Sequence, residues 1–327
     1  MSIPLHQYAS VPVAATATAV HDRLTAAPHE LVTAATADAL RCLAPAVRAW
    51  GLSTRALPTV ATGPGGDEDA TGWPALTAWL VATPDVEGRS RLALVSHRSP
   101  GAELATVRLD RLHRQRLTRT AVQTFLRALA DRLQERVPPR PTPGPGTRHP
   151  DRTPTFLHDT VTVPAPAEDV VRRLLDDPYG RAVRATDTAL DQVAPILAAG
   201  RFRDPARPTV AVRPATDDEL GAVIVQWDDV EQPRPHLRRE DATGWPTMTL
   251  TLVATPVDAG TRLAVLSPRE PGYDLSVNRV DKHVRDQLAR AAVHAFLAAT
   301  AAELQPATTR STATDTSAET RVPVVAG

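Results

Sequence analysis

Large apolar and polar side chains alternate with a period of two in two stretches: Val161 and Val163 among threonines, and Met248, Leu250 and Leu252 against Thr247, Thr249 and Thr251. That period places one row of side chains on one sheet face, so each stretch predicts a half-buried strand. Residues 157–164, closed by Pro164, form the first of these, and residues 5–13 are their counterpart near the N-terminus. Residues 209–212 and 221–227 predict two more strands around a turn-rich segment. Residues 261–266 complete a hairpin through the Asp258-Ala259-Gly260 turn, and residues 76–95 predict the same hairpin earlier in the chain. A period near four marks helices. Leu117, Ala121, Phe125, Leu129 and Leu133 stripe residues 107–133, while Leu288, Ala292, Phe296, Thr300 and Leu304 stripe residues 278–304 with one polar exception. A shorter helix is expected over 166–175, where Pro166 precedes the acids Glu168 and Asp169, which suit a first turn. Asp177-Pro178-Tyr179-Gly180 is expected to stop it, with further helices over 35–47 and 185–197.

This pattern occurs twice. Glu68-Asp69-Ala70-Thr71-Gly72-Trp73-Pro74 returns as Glu240-Asp241-Ala242-Thr243-Gly244-Trp245-Pro246, and thirteen of the seventeen positions running on to Pro84 and Pro256 agree. Agreement resumes after a one-residue slip at Leu92/Leu263, Ser96/Ser267 and Pro100-Gly101/Pro271-Gly272. So long a unit indicates two whole domains rather than a solenoid. The expected division is 1–135, a proline-rich linker at 136–154, 155–304, and a disordered tail at 305–327. Residues 50–60 offer less strand pattern than 209–227, so the first copy should carry a reduced sheet.

With 327 residues the chain has room for two cores, and a formal charge of zero gives no field drawing it to nucleic acid or an anionic membrane. Cys42 is the only cysteine, which rules out an intrachain disulfide or a thiolate zinc site. No apolar run is long enough to cross a bilayer, and the expectation is a cytoplasmic protein with no membrane insertion.

Candidate chemistry is sparse. Trp73 and Trp245 open matching strands, where an indole would either brace the sheet edge or line a cavity mouth. The adjacent acids Glu68-Asp69 and Glu240-Asp241 point to opposite faces if extended and read as loop residues. His6 and His158 follow matching leucines and would orient or protonate a ligand carbonyl, with a structural role favoured. Arg108, Arg111, Arg114, Arg116 and Arg119, with His113 among them, read as a solvated helix face rather than a polyanion site. The histidines lack metal-ligand spacing, and no cofactor motif is present.

The order strand, two helices, antiparallel strands, long closing helix resembles the START and polyketide-cyclase-like superfamily (SRPBCC). Thr160-Val161-Thr162-Val163-Pro164-Ala165-Pro166-Ala167-Glu168-Asp169-Val170 looks like its first strand and helix, and Gly260-Thr261-Arg262-Leu263 like the entry to a late strand. The resemblance implies an α+β fold of two tandem helix-grip domains, each a curved antiparallel sheet around a C-terminal helix with a mostly apolar cavity between. It also implies a small hydrophobic ligand, held mainly by the second domain. His158, Trp227, Trp245, Met248, Leu250, Leu252, Val284, Leu288 and Phe296 are the expected lining. Intramolecular packing of the two domains is expected. A non-catalytic interaction module and a polyketide aromatase/cyclase-like enzyme stay open as alternatives, and no catalytic residue is assigned.

Overall fold

The structure, a computed structural model, describes residues 4–49, 77–85, 88–104, 109–134, 154–199, 208–216, 219–228, 245–270 and 282–305. The order begins β1 (Pro4–Val13), α1 (Ala17–Ala26), α2 (Pro28–Ala49), β2 (Trp79–Pro84), β3 (Ser90–Ser96), a short 3-10 turn (Ala102–Leu104) and α3 (Arg111–Gln134). It continues β4 (Thr155–Val163), α4 (Ala167–Asp176), α5 (Pro178–Ala199), β5 (Thr209–Pro214), β6 (Val223–Asp228), β7 (Met248–Val257), β8 (Gly260–Ser267) and α6 (Lys282–Leu304). The fold is α+β: one antiparallel sheet of eight strands, ordered β2-β3-β1-β4-β8-β7-β6-β5, with six α-helices among the described residues. The N-terminal half supplies β2-β3-β1 and the C-terminal half the other five, joined where Pro4 faces Phe156 and Leu5 faces Thr155.

The predicted faces are the observed ones. Met248, Leu250 and Leu252 are buried while Thr249 and Thr251 are only partly so, and both predicted helix stripes are buried throughout. Thr300, the polar exception, donates its hydroxyl to the Phe296 carbonyl one turn back (2.8 Å), which removes the penalty of burying it. Burial separates into two apolar clusters, one per half. In each, the closing helix crosses two strands and lies along the long middle helix: α3 on β1, β3 and α2, and α6 on β4, β8 and α5. The same contact finishes both helices: Arg23 on α1 donates to the Leu133 carbonyl and Arg173 on α4 to that of Leu304, giving orphan C-terminal carbonyls a cationic partner.

The expected stop is observed: α4 ends at Asp176, with Asp177 as its C-cap. The difference lies in the next helix: α5 begins at once at Pro178, and α2 begins at Pro28 in the same way. Proline disrupts a helix interior but suits the first helical position, where its missing N–H would have no partner anyway. Asp177 then accepts the Gly180 amide at 3.0 Å. The expected helices 35–47 and 185–197 therefore start one to two turns earlier. Residues 50–60, the matching acids, Trp73, Arg108, the expected linker (Pro154 apart) and nearly all of the expected tail lie outside the described residues.

The back of the sheet is also buried in part. Ala93, Val95, Ile224, Val253 and Leu266 are nearly inaccessible yet belong to neither cluster. The two halves also meet where β2 packs against β7 and α1 against α4. Glu168 on α4 reaches across, accepting the Thr18 backbone amide (2.9 Å) and hydroxyl (2.8 Å). Helix α1 has no acid in its own first turn, so its N-terminal amides draw a carboxylate from the other half.

Candidate functional site

Strand β6 turns Val223, Val225 and Trp227 to the interior, where register pairs them with Leu252, Leu250 and Met248 of β7. Trp227 is completely buried. Its ring lies edge-on to Phe296 of α6, with centroids 5.2 Å apart, and tilted against Trp245, just before β7, at 5.0 Å. Edge-on and tilted pairs suit the aromatic quadrupole. The indole N–H donates to the Thr186 hydroxyl on α5 at 3.0 Å, and that hydroxyl donates in turn to the Ala182 carbonyl at 2.6 Å. Leu288 is buried in the same cluster and Val284 packs against it half-buried.

Eight of the nine expected lining residues thus belong to, or pack against, the one apolar cluster that contains this aromatic trio. Sequence reading missed Thr186. A polar residue among alanines on an apolar helix face, standing where the first half has Thr36, was the available signal, since Thr36 makes the same bond one turn back to Val32.

His158 stands apart, at a bulge in β4 where the pairing with β8 slips between Leu157 and Asp159. Such a bulge turns adjacent residues toward one side. Asp159 meets His294 of α6 at 2.7 Å, and His158 lies buried near Asp286 and Arg290 of the same helix. The His158 Nε2 is 3.0 Å from the Arg269 carbonyl oxygen, and Nδ1 is enclosed with no hydrogen-bond partner among the described residues. Burial pulls the imidazole pKa below its ordinary value; the Arg269 carbonyl opposes this, Arg290 adds to it, and Asp286 acts against it more weakly. Arg290 itself bonds both Asp286 oxygens at 3.1 Å.

The structural counterpart of His158 is Tyr8, not His6. The bulge in β1 falls between Gln7 and Ala9, and His6 faces Ser96 as Phe156 faces Ser267. Function follows register: the Tyr8 hydroxyl donates to the Arg98 carbonyl at 2.8 Å, in the place where His158 meets the Arg269 carbonyl. Tyr8 also approaches Glu103, a buried acid whose other oxygen accepts the Gly101 amide at 3.1 Å. Arg119 is buried as well, so the basic run on α3 is not one solvated face.

Among the described residues no group of three or more His, Cys, Asp or Glu side chains is placed to hold a metal ion, and no helix is long and apolar enough to cross a membrane. No protein-family model and no curated protein matches the chain. Among solved structures it is similar to the crystal structure of DynU16, a protein of the dynemicin biosynthetic locus. The two share 14% identity over 92% of this chain and 97% of that one, at a TM-score of 0.21, a likeness too slight to carry any argument.

Proposed function

We propose that the chain is two helix-grip units of the SRPBCC kind, residues 1–135 and 155–304, packed as an internal pair, and that the second holds a small apolar molecule between its sheet and α6. The observation that supports this reading is the widening of the C-terminal half by β5 and β6, which brings Trp227 over Phe296 and beside Trp245. An aromatic-lined interior with few polar groups is the usual composition of a site for flat apolar ligands. Met248, Leu250, Leu252, Val284 and Leu288 complete the wall. Internal pairing is supported by the Thr18–Glu168 bonds and by β2 lying on β7, where both strands read Leu-Val-Ala-Thr-Pro. Identical segments meeting across an axis form a self-complementary contact.

The test is a titration with naphthalene, anthracene and their hydroxylated derivatives, followed by tryptophan emission and by melting temperature. A ligand of the native state must raise the melting temperature, and one that sits on the trio must alter emission. Trp227→Phe should weaken the emission change. Neither response from any of these compounds would overturn the reading. One observation favours a second reading, a non-catalytic interaction module with filled cores: Trp227 is wholly enclosed and Thr186 already takes its N–H. The same null result would select it.

A further inference from the structure

The reading of the C-terminal half as a ligand holder leaves open which polar group its ligand carries. His158 bears on that question through the hydrogen-bond roles of its two ring nitrogens. A carbonyl oxygen can only accept, so the 3.0 Å contact with Arg269 requires the proton to be on Nε2. A neutral imidazole has one N–H, which leaves Nδ1 with a lone pair and no proton. The surroundings keep the ring neutral: it is buried, Arg290 lies close by, and the nearby carboxylate of Asp286 is already bound by Arg290. Nδ1 is therefore a buried acceptor, and buried acceptors without a donor are rare enough in native proteins to call for one.

We infer that His158 Nδ1, buried where β4 meets α6 and apart from the aromatic trio, is a polar anchor for a ligand held between sheet and helix, and that it selects an apolar molecule bearing a hydroxyl or other hydrogen-bond donor. The inference rests on the proposed ligand-binding reading and reverses the role expected of His158 from sequence, since an unprotonated Nδ1 offers nothing to a carbonyl. Carboxylates, ketones and ethers present only acceptors there and are disfavoured. A phenol or alcohol supplies the missing proton. A buried water is the competing occupant, and it would make the site indifferent to the ligand's hydroxyl.

The experiment compares naphthol, naphthalene and methoxynaphthalene on the full chain, wild type and His158→Tyr, by tryptophan fluorescence titration. Tyrosine is the informative replacement because Tyr8 already makes the equivalent bond to Arg98 in the first half, so the fold-maintaining contact survives while the ring acceptor is removed. Naphthol should bind wild type about tenfold more tightly than methoxynaphthalene, the worth of one buried hydrogen bond. That preference should vanish in His158→Tyr. Equal affinities in wild type would assign Nδ1 to a water and overturn the inference while leaving the ligand-binding reading intact. A preference that persists in His158→Tyr would remove His158 from it. Absence of binding by all three would overturn both. Nitrogen NMR of the wild-type imidazole gives a check that does not depend on the variant folding: Nδ1 should resonate as an unprotonated nitrogen and shift when naphthol is added, and a protonated Nδ1 would overturn the inference.

Discussion

The N-terminal and C-terminal halves use one frame with different fillings. From Val13 and Val163 to Ala49 and Ala199 their elements run in step without a gap. In each half an arginine finishes the closing helix, a threonine bonds back along the middle helix, and a side chain at a strand bulge reaches the carbonyl of a repeated arginine. The differences are in the interior. The first half puts Tyr8 and Glu103 where the second puts His158, and among the described residues only the second adds the β5–β6 hairpin with its buried tryptophan. The shared contacts all satisfy backbone or hydroxyl groups that would be costly to bury unpaired. The frame is therefore held by polar bonds at fixed places, while the space between sheet and helix is free to change.

The strongest way to probe that division is to cut equivalent core positions. Phe125 and Phe296 hold matching places on α3 and α6, but Phe296 is completely buried against Trp227 whereas Phe125 is 7% exposed. Phe296→Ala should cost about 3–5 kcal/mol in denaturant unfolding, and Phe125→Ala should fall at the lower end of that span. If the halves form one cooperative unit, each variant still unfolds in a single transition. Two transitions, with only one displaced by each substitution, would mean that the halves fold separately.

Glu168 tests the junction instead of the cores. Its carboxylate is the anionic cap of α1, so Glu168→Ala should lower stability by about 1–2 kcal/mol, as measured by chemical unfolding. Asp169→Ala, one residue on, removes a second acid from the first turn of α4 and its exposed pair with Arg172, and should cost less, about 0.5 kcal/mol. Equal effects would show that the contact between α1 and α4 contributes nothing of its own.

Much of this frame could be read from the chain. The alternation at Met248, Leu250 and Leu252 and the stripe from Leu288 to Leu304 were visible because burial of one face imposes a period, and a period survives without knowledge of partners. Three things were not visible. The start of α5 at Pro178 was missed because a proline that follows the end of one helix can also stand at the first position of the next. Pairing His6 with His158 followed matching Leu-His dipeptides, but register is set by the whole ladder back from Val13 and Val163 and by where each bulge falls. The partners of His158 lie just beyond β8 and on α6, more than a hundred residues away, so neither its tautomer nor its neutrality was written locally.

That neutrality gives the comparison a pH dependence. The His158 and His6 pKa values are both held below the ordinary 6.5, chiefly by burial, with Arg119 adding to the effect at His6. Below pH 6.5 the unfolded chain therefore binds protons that the folded chain refuses. The contribution of these two rings should be level above that pH, fall as the pH drops toward the depressed folded values, and level off again beneath them. Melting temperature against pH for His158→Tyr should show a shallower fall than wild type, the remainder belonging to His6. An unchanged slope would mean that His158 is not held neutral by the fold.

The smallest effect belongs to the hairpin that, among the described residues, only the C-terminal half carries. Arg213 on β5 grips Glu219 with two bonds of 2.6 Å, and Glu219 also accepts the Thr216 amide at 2.9 Å, tying down the β5–β6 turn. The guanidinium, aided by the Thr216 bonds, lowers the Glu219 pKa from 4.5 to about 2. A depressed carboxylate stabilises the fold fully above its unfolded value and progressively less as the pH falls toward the folded one. The pair is half open to water, so Glu219→Gln should cost no more than about 1 kcal/mol, and less at high salt. Hydrogen exchange should place the loss in β5 and β6, with the amides of β1 and β3 unchanged. Loss of protection across both halves would instead make this hairpin part of the common frame.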